Sequence, residues 1–76
     1  MTLPKEILEK AVQLRDPLKD IYIALYTLGK PSTAKEIAEF TGKARAYVNM
    51  WLNQLTDMSL VRYFKKGRTK FYEVST

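Results

Sequence analysis

The chain is 76 residues long, carries a formal net charge of +5 at pH 7, and contains neither cysteine nor histidine. These facts exclude disulfides, thiol or histidine catalysis and zinc fingers, and no acidic cluster has the spacing of a calcium loop. We expect residues 1–76 to form one small domain without a metal or a cofactor. Because no phosphate-cradling glycine loop is present either, we expect a protein that is not an enzyme. No apolar run resembles a signal peptide or a membrane span, so we expect a cytoplasmic location.

The positive charge is concentrated in the second half of the chain. Residues 1–41 carry six basic and six acidic side chains, whereas residues 42–72 carry seven basic side chains and Asp57 as their single acid. Basic charge confined to one part of a small domain is typical of proteins that bind a polyanion. A solvated surface is the alternative, and charge alone does not decide between the two.

Two helices are predicted in the neutral half. The first, within residues 1–15, has apolar residues at helical spacing. The second is predicted to begin at Asp16-Pro17, because Asp is a good N-cap and Pro a good first helical residue, and to end at Gly29. Its apolar stripe faces a core and consists of Leu18, Ile21, Tyr22, Leu25 and Leu28. We interpret the two tyrosines of this helix as packing aromatics rather than ligand-binding residues.

A short third helix is predicted from a capping box. The Thr33 hydroxyl and the Glu36 carboxylate can each accept a hydrogen bond from an otherwise unpaired backbone N–H. Gly42 can end the helix in the left-handed conformation. The residues expected to face the core are Ala34, Ile37, Ala38 and Phe40.

The fourth helix, at about residues 44–58, has two different faces. One is apolar and carries Val48, Leu52 and Leu55, with Trp51 and Met58 at its border. The other carries short or polar side chains, namely Arg45, Ala46, Asn49, Met50 and Asn53. A helix that lies in a DNA major groove needs such a face, because little obstructs its approach and several side chains can hydrogen-bond.

A basic β-hairpin is predicted at residues 60–75, where the apolar period changes to two on either side of a glycine. With Lys66-Gly67 at the tip, Val61 would lie opposite Tyr72. The face that closes onto the helices is expected to carry Val61, Tyr63, Tyr72 and Val74. The tip carries Lys65, Lys66, Arg68 and Lys70, which suits phosphates or a minor groove.

These elements predict a mostly α fold with a C-terminal β-hairpin, a winged helix-turn-helix. Its helical core would span 17–58, its helix-turn-helix 33–58 and its wing 60–75. The turn and fourth helix resemble those of the ArsR and MarR winged-helix transcription regulators in Gly42, Val48, Leu52 and Leu55. Leu60-Val61-Arg62 is similar to the start of that family's hairpin, and Lys66-Gly67-Arg68 with Phe71-Tyr72 is similar to its wing. Ala44 departs from the family by replacing a capping Ser or Thr, and Ser59 by replacing the glycine that ends the helix.

The resemblance implies a transcription regulator that binds double-stranded DNA with modest sequence discrimination, with helix 44–58 in the major groove and the wing on the backbone. The recognition-helix residues that it assigns to DNA are Arg45, Ala46, Tyr47, Asn49, Met50 and Asn53, and Lys43 joins this set by its charge. The wing residues are Arg62, Lys65, Lys66, Gly67, Arg68 and Lys70. By chemistry, Arg45 suits guanine or phosphate and Asn49 suits adenine. Tyr47 either donates to a phosphate or packs against the preceding helix, while Lys43 and Lys65 suit phosphates.

The sequence leaves two questions open, the oligomeric state and the kind of partner. DNA regulators of this size usually pair, and the candidate homodimer surface is the N-terminal stripe Leu3, Ile7, Leu8, Ala11 and Leu14; alternatively this helix packs on its own domain. Winged helices also serve as protein-protein interaction modules or as subunits of larger nucleic-acid-processing assemblies. Such a module would expose an apolar patch, for which the candidates are Met50, Trp51, Phe64 and Phe71. The basic residues favour DNA.

Overall fold

The computed structural model describes residues 4–75. Its elements are α1 (Lys5–Val12), α2 (Leu18–Leu28), α3 (Ala34–Thr41), α4 (Arg45–Asp57), β1 (Val61–Lys66) and β2 (Thr69–Val74). The two strands form an antiparallel sheet, so the predicted mostly α fold with a C-terminal β-hairpin is confirmed. Within the described part of the chain, no helix combines the length and the apolar character that crossing a membrane requires.

Helix α1 packs on its own domain. Ile7, Ala11 and Leu14 are 2%, 1% and 6% exposed and belong to the same core as the other helices. The prediction that they form a homodimer surface is corrected here, because side chains buried against their own domain cannot contact a second chain. Of the remaining stripe, Leu8 is exposed and Leu3 lies outside the described residues. A homodimer therefore remains a prediction without an assigned surface.

Helix α2 supplies the centre of the core. Ile21, Tyr22 and Leu25 are almost fully buried, as the apolar stripe predicts. The helix begins one residue later than expected, with Pro17 at its N-cap and no side-chain hydrogen bond to the cap. The predicted cap by Asp16 is therefore not formed.

Helix α3 begins with the predicted capping box, which is confirmed. The Glu36 backbone N–H donates to Thr33 Oγ1 at 3.1 Å, and the Thr33 backbone N–H donates to Glu36 Oε1 at 3.0 Å. The hydrogen bond from the Thr33 backbone, followed by that from Lys30, holds the pKa of Glu36 below its usual value. Gly42 ends the helix with a φ of +74°, also as predicted.

One core assignment in α3 is wrong. Phe40 is 53% exposed, whereas Ala34, Ile37 and Ala38 are buried. At 100° per residue these three side chains share one face of the helix, and Phe40 projects well to one side of it.

Helix α4 buries its predicted apolar face completely. Val48, Leu52 and Leu55 have 0% exposure, which fixes the rotation of the helix and leaves its polar face outward. Ala44 occupies the N-cap without a side-chain hydrogen bond, as its methyl group dictates. At the other end, Ser59 follows the helix with a φ of +63°.

Replacing Ser59 with glycine is expected to stabilise the protein. The left-handed conformation costs a residue with a Cβ about 1–2 kcal/mol, while the added freedom of glycine in the unfolded chain removes part of that gain. We expect a net increase of about 0.5–1 kcal/mol in the free energy of unfolding, measured by urea denaturation with an unchanged m-value. As the control, Gln54→Gly in the middle of α4 should lose about 0.5–1 kcal/mol. A Ser59→Gly variant no more stable than the parent would show that Ser59 is not strained.

The register of the hairpin differs from the prediction by two residues. Val61 lies opposite Val74 and Tyr63 opposite Tyr72, so the predicted pairing of Val61 with Tyr72 is wrong. The two-residue turn is Gly67-Arg68, with Gly67 at a φ of +66°, as in a type II′ turn with glycine at its first central position. A turn at Lys66-Gly67 would require positive φ at a lysine. Because the shift is an even number, the predicted face of Val61, Tyr63, Tyr72 and Val74 is preserved. Val61 and Tyr72 are buried on it, but Tyr63 is 48% exposed, so the prediction that Tyr63 closes onto the helices is wrong.

The connection between α2 and α3 is tied to the hairpin. The backbone of Ser32 donates to the Tyr72 carbonyl at 2.9 Å and accepts from the Tyr72 N–H at 2.8 Å. Ser32 is fully buried and forms an isolated β-bridge. This bridge fixes β2 next to the start of α3.

Candidate nucleic-acid interface

A groove of about 400 Å³ lies between the start of α3, the first two turns of α4 and the tip of the hairpin. Four basic side chains line it, namely Lys35, Arg45, Arg68 and Lys70. The remaining lining residues are Thr33, Ala34, Asn49, Thr69 and Tyr72, so no acidic side chain contributes to it. We call this feature the basic groove. A concave surface whose charged side chains are all cationic concentrates anionic ligands.

A hydrogen bond joins the two walls of the basic groove. Tyr72 Oη donates to Asn49 Oδ1 at 3.1 Å. The Tyr72 ring is 1% exposed, and its backbone is held by Ser32, so the donor has a fixed position. With Oδ1 facing Tyr72, the amide nitrogen of Asn49 remains to donate to a ligand, and Oδ1 retains a second lone pair as an acceptor.

The position of Lys70 is set by aromatic rings. Its Nζ lies 3.9 Å from the centroid of the Tyr63 ring and 5.2 Å from that of Tyr72. The two rings are cross-strand neighbours with their centroids 6.2 Å apart. A cation over an aromatic face is attracted by the ring quadrupole, so the ammonium group of Lys70 is held at the edge of the basic groove.

The predicted recognition-helix residues are accessible. All are exposed except Lys43, which is half-buried; the set is Lys43, Arg45, Ala46, Tyr47, Asn49, Met50 and Asn53. Of these, Arg45 and Asn49 line the basic groove. Tyr47 packs edge-on against Trp51 of its own helix at 6.1 Å between ring centroids, with Lys43 Nζ 5.9 Å from the Tyr47 centroid.

The predicted wing residues are divided between the two faces of the hairpin. Arg68 and Lys70 line the basic groove. Arg62 and Lys66 lie on the opposite face, because they alternate with the residues that face the helices. Arg62 is also engaged, since its Nε lies 2.6 Å from Glu73 Oε1 on the neighbouring strand. The structure thus places Arg68 and Lys70 on one face and Arg62 and Lys66 on the other, whereas the sequence groups all four as wing residues.

Lys35 is the basic groove residue that sequence reasoning missed. It lies in the first turn of α3, within the half of the chain whose charges balance, so the concentration of basic residues in the second half does not point to it. The sequence signal for Lys35 is its place inside the capping box, between Thr33 and Glu36. Among residues 4–75, no three Asp, Glu, His or Cys side chains are close enough together to hold a metal ion.

Comparison with known proteins relates the chain to an archaeal protein. No family model matches the chain. The chain is 34% identical over 59 residues to an uncharacterized protein of Archaeoglobus fulgidus, and the alignment covers 78% of each sequence. The chain belongs to the same family as this archaeal protein.

Proposed function

We propose that the protein is a winged helix-turn-helix module that binds double-stranded DNA, as a non-enzymatic transcription regulator of the ArsR and MarR type acting inside the cell. The observation that carries the proposal is the basic groove, in which four cations and no acid line a concavity between α4 and the hairpin. A polyanion is the ligand that such a surface attracts most strongly.

The proposal gives α4 the role of the recognition helix. The B-DNA major groove is about 12 Å wide and admits one α-helix. The buried face of α4 anchors it to the core, so its outward face can enter the groove without moving relative to the hairpin. Small and polar residues such as Ala46 and Asn53 on that face are exposed and permit a close approach.

Within the basic groove, the side chains differ in what they can recognise. Arg45, at the first turn of α4, suits a guanine edge or a phosphate, and Asn49, one turn later, suits a base edge. Arg68 and Lys70 on the hairpin, with Lys35 on α3, suit phosphates. Most of these contacts carry charge rather than base information, so the expected mode is backbone-led binding with modest sequence discrimination.

The salt dependence of duplex binding tests the proposal. If each of the four groove cations neutralises one phosphate, the logarithm of the association constant should fall with the logarithm of salt concentration with a slope of about −3 to −4. Fluorescence anisotropy of a labelled duplex, titrated at several salt concentrations, measures this slope. A protein that does not bind duplex at low salt, or whose affinity is unchanged by added salt, would overturn the proposal.

A further inference from the structure

The outer face of the hairpin, which points away from the helices, carries a pair of stacked aromatic rings. The outer face consists of Arg62, Phe64, Lys66, Thr69, Phe71 and Glu73. Phe64 lies opposite Phe71, with ring centroids 5.6 Å apart and an angle of 19° between the ring planes. Phe64 is 42% exposed and Phe71 is half-buried. Exposed aromatic rings that lie side by side, with charged residues around them, are typical of an interaction site.

The charge around the pair identifies the kind of partner. The outer face carries two basic side chains, Arg62 and Lys66, and Glu73 as its one acid. Glu73 is already paired with Arg62, while Lys66 on the same face and Arg68 at the turn form no ion pair within the described residues. A second copy of the same face would bring like charges together. The surface therefore favours a polyanion over another copy of this chain.

Among polyanions, a single-stranded nucleic acid fits best. Proteins that bind single strands combine cations that follow the backbone with aromatic rings on which bases stack. In a duplex the bases are stacked on one another and offer no free face to a flat aromatic pair. We propose that the outer face of the hairpin binds single-stranded nucleic acid, with unpaired bases stacking on Phe64 and Phe71 and phosphates near Lys66 and Arg68. The two rings lie on the opposite side of the hairpin from Lys70 and Tyr72. Because the site shares only Arg68 and Thr69, near the turn, with the lining of the basic groove, replacing Phe64 tests it without altering the groove.

Binding of an oligothymidylate of about 15 nucleotides tests the proposal, because sites of this kind span about 4–16 nucleotides. Phe64→Leu keeps an apolar side chain in the hairpin but removes the aromatic face. It should weaken binding of the single strand by about 5- to 100-fold, the effect of losing one stacking aromatic, and leave duplex affinity unchanged. Phe64→Trp should bind at least as tightly as the parent. Phe40→Leu, which makes the same change at another exposed phenylalanine, is the matched control and should bind like the parent.

The outcomes are distinct. Phe64→Leu binding the oligonucleotide as well as the parent, or a parent that does not bind it, would overturn the proposal. If sedimentation instead shows self-association that Phe64→Leu abolishes, the aromatic pair is a protein contact and the proposal is also wrong. Thermal unfolding by circular dichroism verifies that each variant is folded. Loss of duplex binding with single-strand binding retained would count only against the function proposed for the basic groove.

Discussion

An Arg45→Ala/Arg68→Ala variant is expected to bind duplex DNA about 10- to 100-fold more weakly at low salt and to lose about 2 units from the salt slope. The two side chains come from different elements, α4 and the hairpin turn, and line the same groove. Both are exposed, and neither forms an ion pair within residues 4–75. Their removal should therefore leave the free energy of unfolding nearly unchanged. Anisotropy titrations of one labelled duplex at several salt concentrations measure both effects.

The control removes the same charge elsewhere. Lys5 and Arg15 are exposed and do not line the basic groove. The one ion pair of Lys5, with Glu9 at 4.0 Å, is itself exposed, so breaking it costs little stability. Lys5→Ala/Arg15→Ala should keep the salt slope of the parent. If both double variants weaken binding equally, overall charge rather than the basic groove drives association, and the assignment of the groove is wrong.

The features that sequence predicted correctly depend on local chemistry. The capping box at Thr33, the left-handed glycine at Gly42 and the buried face of α4 each follow from a few neighbouring side chains and one helical period. The hairpin faces were also predictable, because alternation along a strand assigns every residue to one side. These inferences need no knowledge of what the other elements do.

Two of the errors arise where two local solutions are equally good. A shift of two residues in the hairpin preserves both faces, so the apolar pattern does not choose the register; the positive φ of Gly67 does. Similarly, the apolar stripe of α1 is compatible with a dimer surface or with its own core. The structure places Ile7 and Ala11 in the core. Tertiary packing decides this outcome, and the helical periodicity of the sequence does not predict it.

The candidate site was predicted only in part, because local chemistry can be read from the sequence and tertiary packing cannot. Arg45, Asn49, Arg68 and Lys70 were identified by their chemistry and by the elements that carry them, and all four line the basic groove. The bond from Tyr72 to Asn49 joins residues 23 positions apart, and it depends on a register that the sequence did not determine. Lys35 was missed because charge was counted along the chain, whereas the groove collects residues from three separate elements.

The second large effect is expected at Asn49, and it concerns sequence discrimination rather than affinity. Selection from random duplexes would first define the preferred sequence, and affinities for single base-pair variants of it would then be compared. Asn49→Ala should reduce discrimination at one position by about 1–3 kcal/mol, or roughly 5- to 100-fold. Its affinity for unrelated duplexes should stay within about twofold, because the amide carries no charge for the phosphates.

Tyr72→Phe tests whether the hydroxyl positions Asn49. The substitution keeps the buried ring and removes one hydrogen bond, at a cost of about 0.5–1.5 kcal/mol in the free energy of unfolding. Discrimination should fall at the same base pair as in Asn49→Ala but by less, because the amide remains and is only freed to rotate. The double variant Asn49→Ala/Tyr72→Phe should discriminate no worse than Asn49→Ala alone, since residues that act through one contact are not additive.

Tyr63→Phe makes the same chemical change on the opposite strand, where no hydrogen bond to α4 exists among the described residues. If it reduces discrimination as much as Tyr72→Phe does, or if Tyr72→Phe has no effect, the Tyr72 hydroxyl does not position Asn49 and the amide is oriented by the DNA itself.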